Sequence, residues 1–132
     1  MMRFMLIAMA NKDSEAGCAP SSELMAAIGK LSEDMTKSGT LLEMGGLAPT
    51  SKGARLRLSG GKVTVTDGPF AEAKEVIGGY AIVQVESKAE AIELSRRFLQ
   101  VHADILGPSY QMESEVRQFF NPADVGAEMA IR

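Results

Sequence analysis

Runs of hydrophobic positions, separated by short polar segments, predict the strands of this chain. A continuous apolar run of about four to eight residues between turn residues is typical of a buried strand, because it is too short for a stable helix. Runs of this kind, or alternating apolar and polar positions, cover residues 3–9, 40–47, 78–85 and 110–119. In the last of these, Tyr110, Met112 and Val116 are predicted to face inward.

Two further stretches carry apolar residues at helical spacing. The first stripe consists of Leu24, Ile28, Leu31 and Met35, and the second of Ala91, Leu94, Phe98, Val101 and Ile105. Residues 20–23 supply a serine hydroxyl that can cap free amides, and Ser87 opens a capping box with Glu90. Gly39 and Gly107 then predict the two helix ends.

Residues 55–66 predict a β-hairpin with a two-residue turn at Gly60-Gly61. This turn pairs Leu58 with Val63, Leu56 with Val65, Arg57 with Thr64, and Arg55 with Thr66. Both apolar pairs then fall on one face, which favours this register. Residues 11–20 are expected to form a loop, and residues 71–75 are compatible with one helical turn.

The predicted order is strand, helix, strand, hairpin, strand, helix, strand. Two right-handed strand–helix–strand units form an antiparallel sheet with both helices on one face, so the fold class is α+β, ferredoxin-like βαββαβ with an inserted hairpin. The first and third strands are apolar on nearly every residue, so the uncovered face should pack against a second copy in a homodimer. We expect one domain over residues 1–120 and a C-terminal tail over residues 121–132.

Composition narrows the function classes. The 132 residues are 45% hydrophobic and 23% charged, as in ordinary globular domains, and the net charge of −3 disfavours a nucleic-acid partner. Cys18 is the only cysteine, which excludes an internal disulfide, and one Cys with one His cannot build a transition-metal site. No apolar stretch approaches the roughly 20 residues that span a bilayer. The expected location is the cytoplasm, without membrane contact.

The segment DGPFAEAKE at residues 67–75, followed by Gly78-Gly79-Tyr80, resembles the signature of the YCII-related family, specifically its DGPF branch. The resemblance extends to residues 98–102, 107–108 and 113–117, although Ala73 stands where the motif more often has threonine. It implies a dimeric ferredoxin-like α+β barrel and no assigned activity. Some smaller relatives are thought to use a His–Asp pair with the histidine early in the first helix, and residues 21–39 contain no histidine here.

With this motif, Asp67 and His102 are the candidate catalytic residues. Asp67 can either cap the following turn or act as a carboxylate at the mouth of the cleft between sheet and helices. His102, at the border of the second helical stripe, can either bond to nearby backbone or act as the acid partner of Asp67. The candidate ligand-binding residues are Gly68, Pro69, Phe70, Glu72 and Tyr80.

Two functions from different classes remain. One is a small-molecule site in a cleft of the homodimer, with acid/base chemistry such as isomerisation, elimination or hydrolysis that needs no cofactor. The other is a non-catalytic regulatory or interaction module. Because similar domains occur attached to extracytoplasmic-function sigma factors, the resemblance implies such a factor as the partner of that module.

Overall fold

The structure, a computed structural model, describes residues 1–70 and 76–120 of the chain. Its strands are β1 (Met2–Met9), β2 (Leu41–Gly46), β3 (Ala54–Ser59), β4 (Lys62–Asp67), β5 (Ile77–Val85) and β6 (Ser114–Gln118). Its helices are α1 (Lys12–Glu15), α2 (Ser22–Lys37) and α3 (Lys88–Leu106), with a 3-10 turn at Thr50–Lys52. This element order confirms the prediction of an α+β chain.

The described strands form one four-stranded sheet and one two-stranded sheet. In the larger sheet the order is β2-β5-β1-β6, and all three neighbouring pairs are antiparallel. This order is compatible with a ferredoxin-like fold. Because β1 and β5 lie in the middle of the sheet, their sequences are apolar on both faces, whereas the outer strands are more polar.

The core lies between the larger sheet and the helices α2 and α3. Phe4, Val83 and Val85 are at most 2% exposed, and Met35 and Leu94 cover them from the two helices. We call this side of the sheet the inner face. The predicted helical stripes therefore point to the core: in each stripe every residue is buried or half-buried.

The ends of α2 and α3 follow the capping residues. The hydroxyls of Ser21 and Ser87 each accept a hydrogen bond from the amide three residues later, at 3.2 Å. Gly39 and Gly107 follow the helices with φ of +77° and +91°, a region that glycine adopts without steric cost. Among the described helices, none combines the length and apolarity needed to cross a membrane.

The two-stranded sheet of β3 and β4 confirms the predicted hairpin register. Leu58 pairs with Val63 and Leu56 with Val65, and both turn glycines have positive φ. The four apolar side chains are between 62% and 73% exposed. The sequence therefore identified which residues share a face, but that face is not buried by the described residues.

Two parts of the chain differ from the sequence prediction. Residues 11–20 contain the short helix α1, which begins because the Asn11 side chain accepts a hydrogen bond from the Ser14 amide. The last strand covers Ser114–Gln118 rather than residues 110–119. The predicted turn at residues 71–75 and the tail at 121–132 lie outside the described residues.

The opposite side of the larger sheet, which we call the outer face, has an apolar centre. By strand register Ile7 lies beside Tyr80, and Met5 beside Ile82, on the side away from the helices. Ile7 is 9% exposed and the other three are half-buried. Charged residues occupy the β6 side of this face, where Glu115 pairs with Ile7.

Candidate functional site

A cavity of about 600 Å³ lies between α2, α3 and the inner face of the sheet. Most of its wall is apolar and comes from the same helical stripes that build the core. These wall residues include Leu24, Ile28, Leu31, Leu94, Phe98 and Leu106. Polar groups are few and several of them gather where α1 meets the end of α3, including Asn11, Ser14, His102 and Tyr110. An apolar cavity with a small polar region is typical of small-molecule sites.

His102 is the buried titratable group of this cavity. It is 7% exposed, and its Nδ1 lies 2.8 Å from the carbonyl oxygen of Phe98, one turn earlier on α3. Because a carbonyl only accepts hydrogen bonds, Nδ1 carries the proton in the neutral ring and Nε2 is left as an acceptor. Among the described residues every fully buried side-chain nitrogen or oxygen has a partner, so Nε2, which has none, keeps accessible surface.

Tyr110 stacks on His102 and is held by Asn11. The two rings are nearly parallel, at 18°, with centroids 6.0 Å apart. The Asn11 amide donates to the Tyr110 hydroxyl at 2.7 Å, while its own oxygen accepts from the Ser14 backbone at 2.9 Å. The start of α1 therefore fixes the Asn11 side chain, and this side chain fixes the tyrosine beside the imidazole.

Tyr80 lies on β5, and the register places its side chain on the outer face with Ile7 and Gly45. It contributes to the cavity wall, but its hydroxyl donates to the Glu43 carboxylate at 2.7 Å. This hydrogen bond raises the pKa of Tyr80, because the negative carboxylate stabilises the protonated phenol. Desolvation and the charge of Glu43 act in the same direction.

The loop after β4, which carries the motif residues Gly68, Pro69 and Phe70, is anchored to Thr50. The Phe70 amide donates to the Thr50 hydroxyl at 3.1 Å, and the Gly68 amide donates to the Gly53 carbonyl at 3.0 Å. A Cβ atom on residue 68 would lie 2.6 Å from the Thr50 carbonyl carbon and closer still to its oxygen. Only glycine fits at this position without backbone movement.

Glu15 links α1 to the same loop. Its carboxylate accepts hydrogen bonds from both the hydroxyl and the backbone amide of Thr50. These bonds, the hydroxyl bond first, lower the pKa of Glu15 because they stabilise the ionised form. Glu15 and Thr50 thus tie the helix that carries Asn11 to the loop that carries Phe70.

The predicted site residues fall into separate places in one chain. His102 and Tyr80 both contribute to the cavity, whereas Phe70 lines a different depression, where the Arg55 guanidinium lies 4.0 Å from its ring centroid. Asp67 is exposed at the end of β4, and neither it nor Gly68 nor Pro69 is among the described residues of the cavity wall. Glu72 lies outside the described residues.

Sequence reasoning missed Asn11, which contributes to the cavity wall, and Glu15 and Thr50, which link α1 to the motif loop. The segment from Asn11 to Ser14 carries a signal that could have been used, because asparagine followed three residues later by serine can form a reciprocal cap. The contacts from Asn11 to Tyr110 and from Glu15 to Thr50 span 99 and 35 residues. No local pattern predicts pairings of that range.

The charged residues of the wall and the arrangement of possible metal ligands limit which class of ligand the cavity can bind. Among the described wall residues, Asp13 is the only one with a permanently charged side chain, and there is no Lys or Arg. Within the described part of the chain, no three His, Cys, Asp or Glu side chains are grouped to hold a metal ion. The wall therefore suits an uncharged ligand better than an anion.

Comparison with known proteins places the chain in a family. The model of the YCII-related domain matches residues 2–106, so the chain belongs to the YCII-related domain family. Over 60 residues it is 40% identical to an uncharacterised protein of Rhizobium meliloti (strain 1021). The match covers 46% of this chain and 48% of that protein, about half the length of the relative.

Proposed function

We propose that this YCII-related protein binds a small, mostly apolar molecule in the cavity between α2, α3 and the inner face of its sheet. The observation that carries the proposal is the cavity itself, about 600 Å³ with a mainly apolar wall to which the buried His102 contributes. Small-molecule sites typically have volumes of about 300–1,000 Å³, apolar walls and a few placed polar groups.

The position of the cavity within the core supports a binding role. Close packing is the rule in protein interiors, because each gap removes dispersion contacts from the side chains around it. The cavity is bordered by Leu24, Leu31 and Leu94. Leu24 and Leu94 are also buried core residues, and Leu31 packs against the core between sheet and helices. A ligand with an apolar body restores the contacts that these side chains lack.

Any proton transfer in this cavity is assigned to His102. In the neutral ring Nε2 is the acceptor, and the Phe98 carbonyl holds the ring orientation through Nδ1. We therefore propose His102 as the group for cofactor-free acid/base chemistry. Asp67 is exposed and does not contribute to the described wall, so its catalytic role in a cleft of the homodimer stays a prediction.

The experiment is a fluorescence titration with N-phenyl-1-naphthylamine, an uncharged apolar probe that brightens in apolar surroundings. We expect saturable binding of one probe per chain. Ile28→Trp adds side-chain volume at a half-buried position of the cavity wall and should weaken binding at least tenfold. Ala26→Trp places the same side chain on the exposed side of α2, away from the wall, and should bind as the wild type does.

Two results would contradict the proposal. One is the absence of saturable probe binding to the wild-type protein. The other is equal binding by the two tryptophan variants, since the probe would then lie outside the cavity. Circular dichroism of both variants shows whether they are folded. If Ile28→Trp does not fold, Leu31→Phe, at another half-buried wall position, repeats the test.

The finer assignments of fold and assembly are part of the same proposal. We assign the chain to the DGPF branch on the motif at residues 67–75. We also propose that it is a ferredoxin-like homodimer of the α+β barrel type, with the β3–β4 hairpin as an insertion. The apolar centre and charged β6 side of the outer face support this assembly, because interfaces commonly combine an apolar core with a polar rim.

A second candidate function is a non-catalytic interaction module. The observation that favours it is the exposed apolar face of the hairpin, with Leu56, Leu58, Val63 and Val65 side by side. An extracytoplasmic-function sigma factor is the partner that the family resemblance suggests. Sedimentation of the purified protein with such a factor tests this candidate: co-sedimentation that is lost on Leu58→Ser supports it, and independent sedimentation contradicts it.

A further inference from the structure

We infer that the ligand of this cavity carries an uncharged hydroxyl group, which His102 and Tyr110 recognise together. The inference rests on the proposed function, since it concerns the polar end of the molecule in the same cavity. The hydrogen bonds that each of the two side chains already makes fix which hydrogen-bonding role remains for a ligand.

His102 offers an acceptor. The Phe98 carbonyl can only accept, so it takes the proton on Nδ1 and leaves the Nε2 lone pair for another donor. The ring is held in this orientation by the edge of Phe98, with centroids 4.7 Å apart. His102 contributes to the cavity wall and its Nε2 keeps accessible surface, so we take Nε2 as the acceptor for a ligand O–H group.

Tyr110 offers a donor. The Asn11 amide nitrogen can only donate, so it occupies a lone pair of the Tyr110 oxygen and leaves the phenolic hydrogen for another acceptor. The orientation of the amide is fixed, because its oxygen is bonded to the Ser14 backbone amide. A flipped amide would place the Asn11 NH2 group against the Ser14 backbone N–H, so that two donors would face each other.

One acceptor and one donor therefore lie on two stacked rings of the same wall. A hydroxyl group is complementary to this pair, since it donates one hydrogen bond and accepts another through a single oxygen. A primary amide matches the pair less well, because neither ring offers a second acceptor for its second N–H. An alcohol or a phenol on an apolar body satisfies both residues.

The charges around the cavity disfavour an anionic ligand. A carboxylate would face the Nε2 lone pair, and the described wall has no Lys or Arg to compensate its charge. The carboxylate of Asp13, at the α1 side of the wall, would repel it further. An ammonium group has no hydrogen-bond acceptor to offer the Tyr110 hydroxyl.

Competition against N-phenyl-1-naphthylamine tests the inference with four compounds that share one apolar body. They are 4-propylphenol, propylbenzene, 4-propylbenzamide and 4-propylbenzoate. Near neutral pH we expect 4-propylphenol to bind about tenfold more tightly than propylbenzene, since its hydroxyl makes two hydrogen bonds that propylbenzene cannot make. The amide should bind more weakly than the phenol, and the carboxylate weakest.

Two substitutions locate the preference. Tyr110→Phe removes the donor and His102→Phe removes the acceptor, and each should lower the ratio of phenol to propylbenzene affinity about fivefold. Ser109→Ala removes a neighbouring hydroxyl that is exposed and does not contribute to the wall, so it should leave the ratio unchanged. If His102→Phe does not fold, Tyr110→Phe alone decides the test.

The results separate this inference from the proposed function. Equal affinities for phenol and propylbenzene, or tightest binding of the amide or the carboxylate, would overturn the hydroxyl inference while probe binding in the cavity stands. An unchanged preference in Tyr110→Phe would overturn it as well. Failure of the probe itself to bind would overturn the proposed function instead.

Discussion

Substitution of Gly68 tests how the motif loop is held. In the structure the backbone of Gly68 passes so close to Thr50 that an alanine Cβ would stand 2.6 Å from its carbonyl carbon. Contacts below about 3.0 Å are essentially never made by real Cβ atoms. The neighbour is backbone rather than a flexible side chain, so Gly68→Ala must displace one of the two segments.

The size of the effect follows from what this displacement breaks. Moving the loop strains the hydrogen bond from the Gly68 amide to Gly53, and moving Thr50 strains its bonds to Glu15 and to the Phe70 amide. Overpacking of this kind typically costs about 1–3 kcal/mol, and a lost neutral hydrogen bond about 1 kcal/mol more. We expect Gly68→Ala to lower the free energy of unfolding by about 2–4 kcal/mol.

Urea denaturation followed by circular dichroism measures this change, with Gly53→Ala as the matched control. A Cβ at Gly53 would meet the same Thr50 oxygen at 3.6 Å, an ordinary contact, so that variant should lose less than about 1 kcal/mol. In thermal melts the difference should be roughly 5–10 °C for a chain of this size. Equal stabilities of the two variants would refute the steric explanation for the close approach of residue 68 to Thr50.

Two further predictions concern pH and assembly. Hydrogen bonds from Thr50 lower the pKa of Glu15 in the folded state, so Glu15 stabilises the protein above its unfolded pKa and loses this effect as the pH falls through its folded pKa. In urea denaturation, the stability difference between the wild type and Glu15→Gln should therefore shrink on acidification. A difference that does not depend on pH would contradict these hydrogen bonds. The proposed outer-face interface predicts that the 14.1 kDa chain sediments as a dimer at micromolar concentration and that Ile82→Glu sediments as a monomer. A monomeric wild type would contradict this proposal.

Local patterns predicted the parts of this fold that depend on neighbouring residues. The hairpin register followed from Gly60-Gly61 alone, because a two-residue turn with positive φ at both positions fixes every pair that follows. The helix boundaries at Ser21 and Ser87 followed from side chains that bond to amides three residues later. Each of these features is decided within a few residues of the chain.

Features that depend on distant residues could not be predicted in the same way. The alternation of Tyr110, Met112 and Val116 predicted a strand, yet only Ser114–Gln118 joins the ladder, while Tyr110 stacks on His102 and bonds to Asn11. Alternation of apolar and polar residues shows which side chains share a face. It does not show whether the segment pairs with a strand or lines a cavity.

In the candidate site, too, contacts between near neighbours could be predicted and contacts between distant residues could not. The position of His102 near the border of its helical stripe left two roles open, a bond to nearby backbone or acid chemistry with Asp67. The structure shows the bond from Nδ1 to the Phe98 carbonyl. The structure shows the motif loop bound to Thr50, through contacts that no spacing in the sequence contains. The pairing of Asp67 with His102 in a cleft of the homodimer stays a prediction.

The most direct test of the account is the imidazole signal of His102 during a titration with N-phenyl-1-naphthylamine. The chain has one histidine, so its carbon–proton correlation spectrum contains one imidazole Hε1 signal, from the carbon between Nδ1 and Nε2. If the probe occupies the cavity beside Nε2, ring currents shift this signal saturably, with the dissociation constant found by fluorescence. A signal that does not move at saturating probe would contradict the claim that the cavity at His102 is the ligand site.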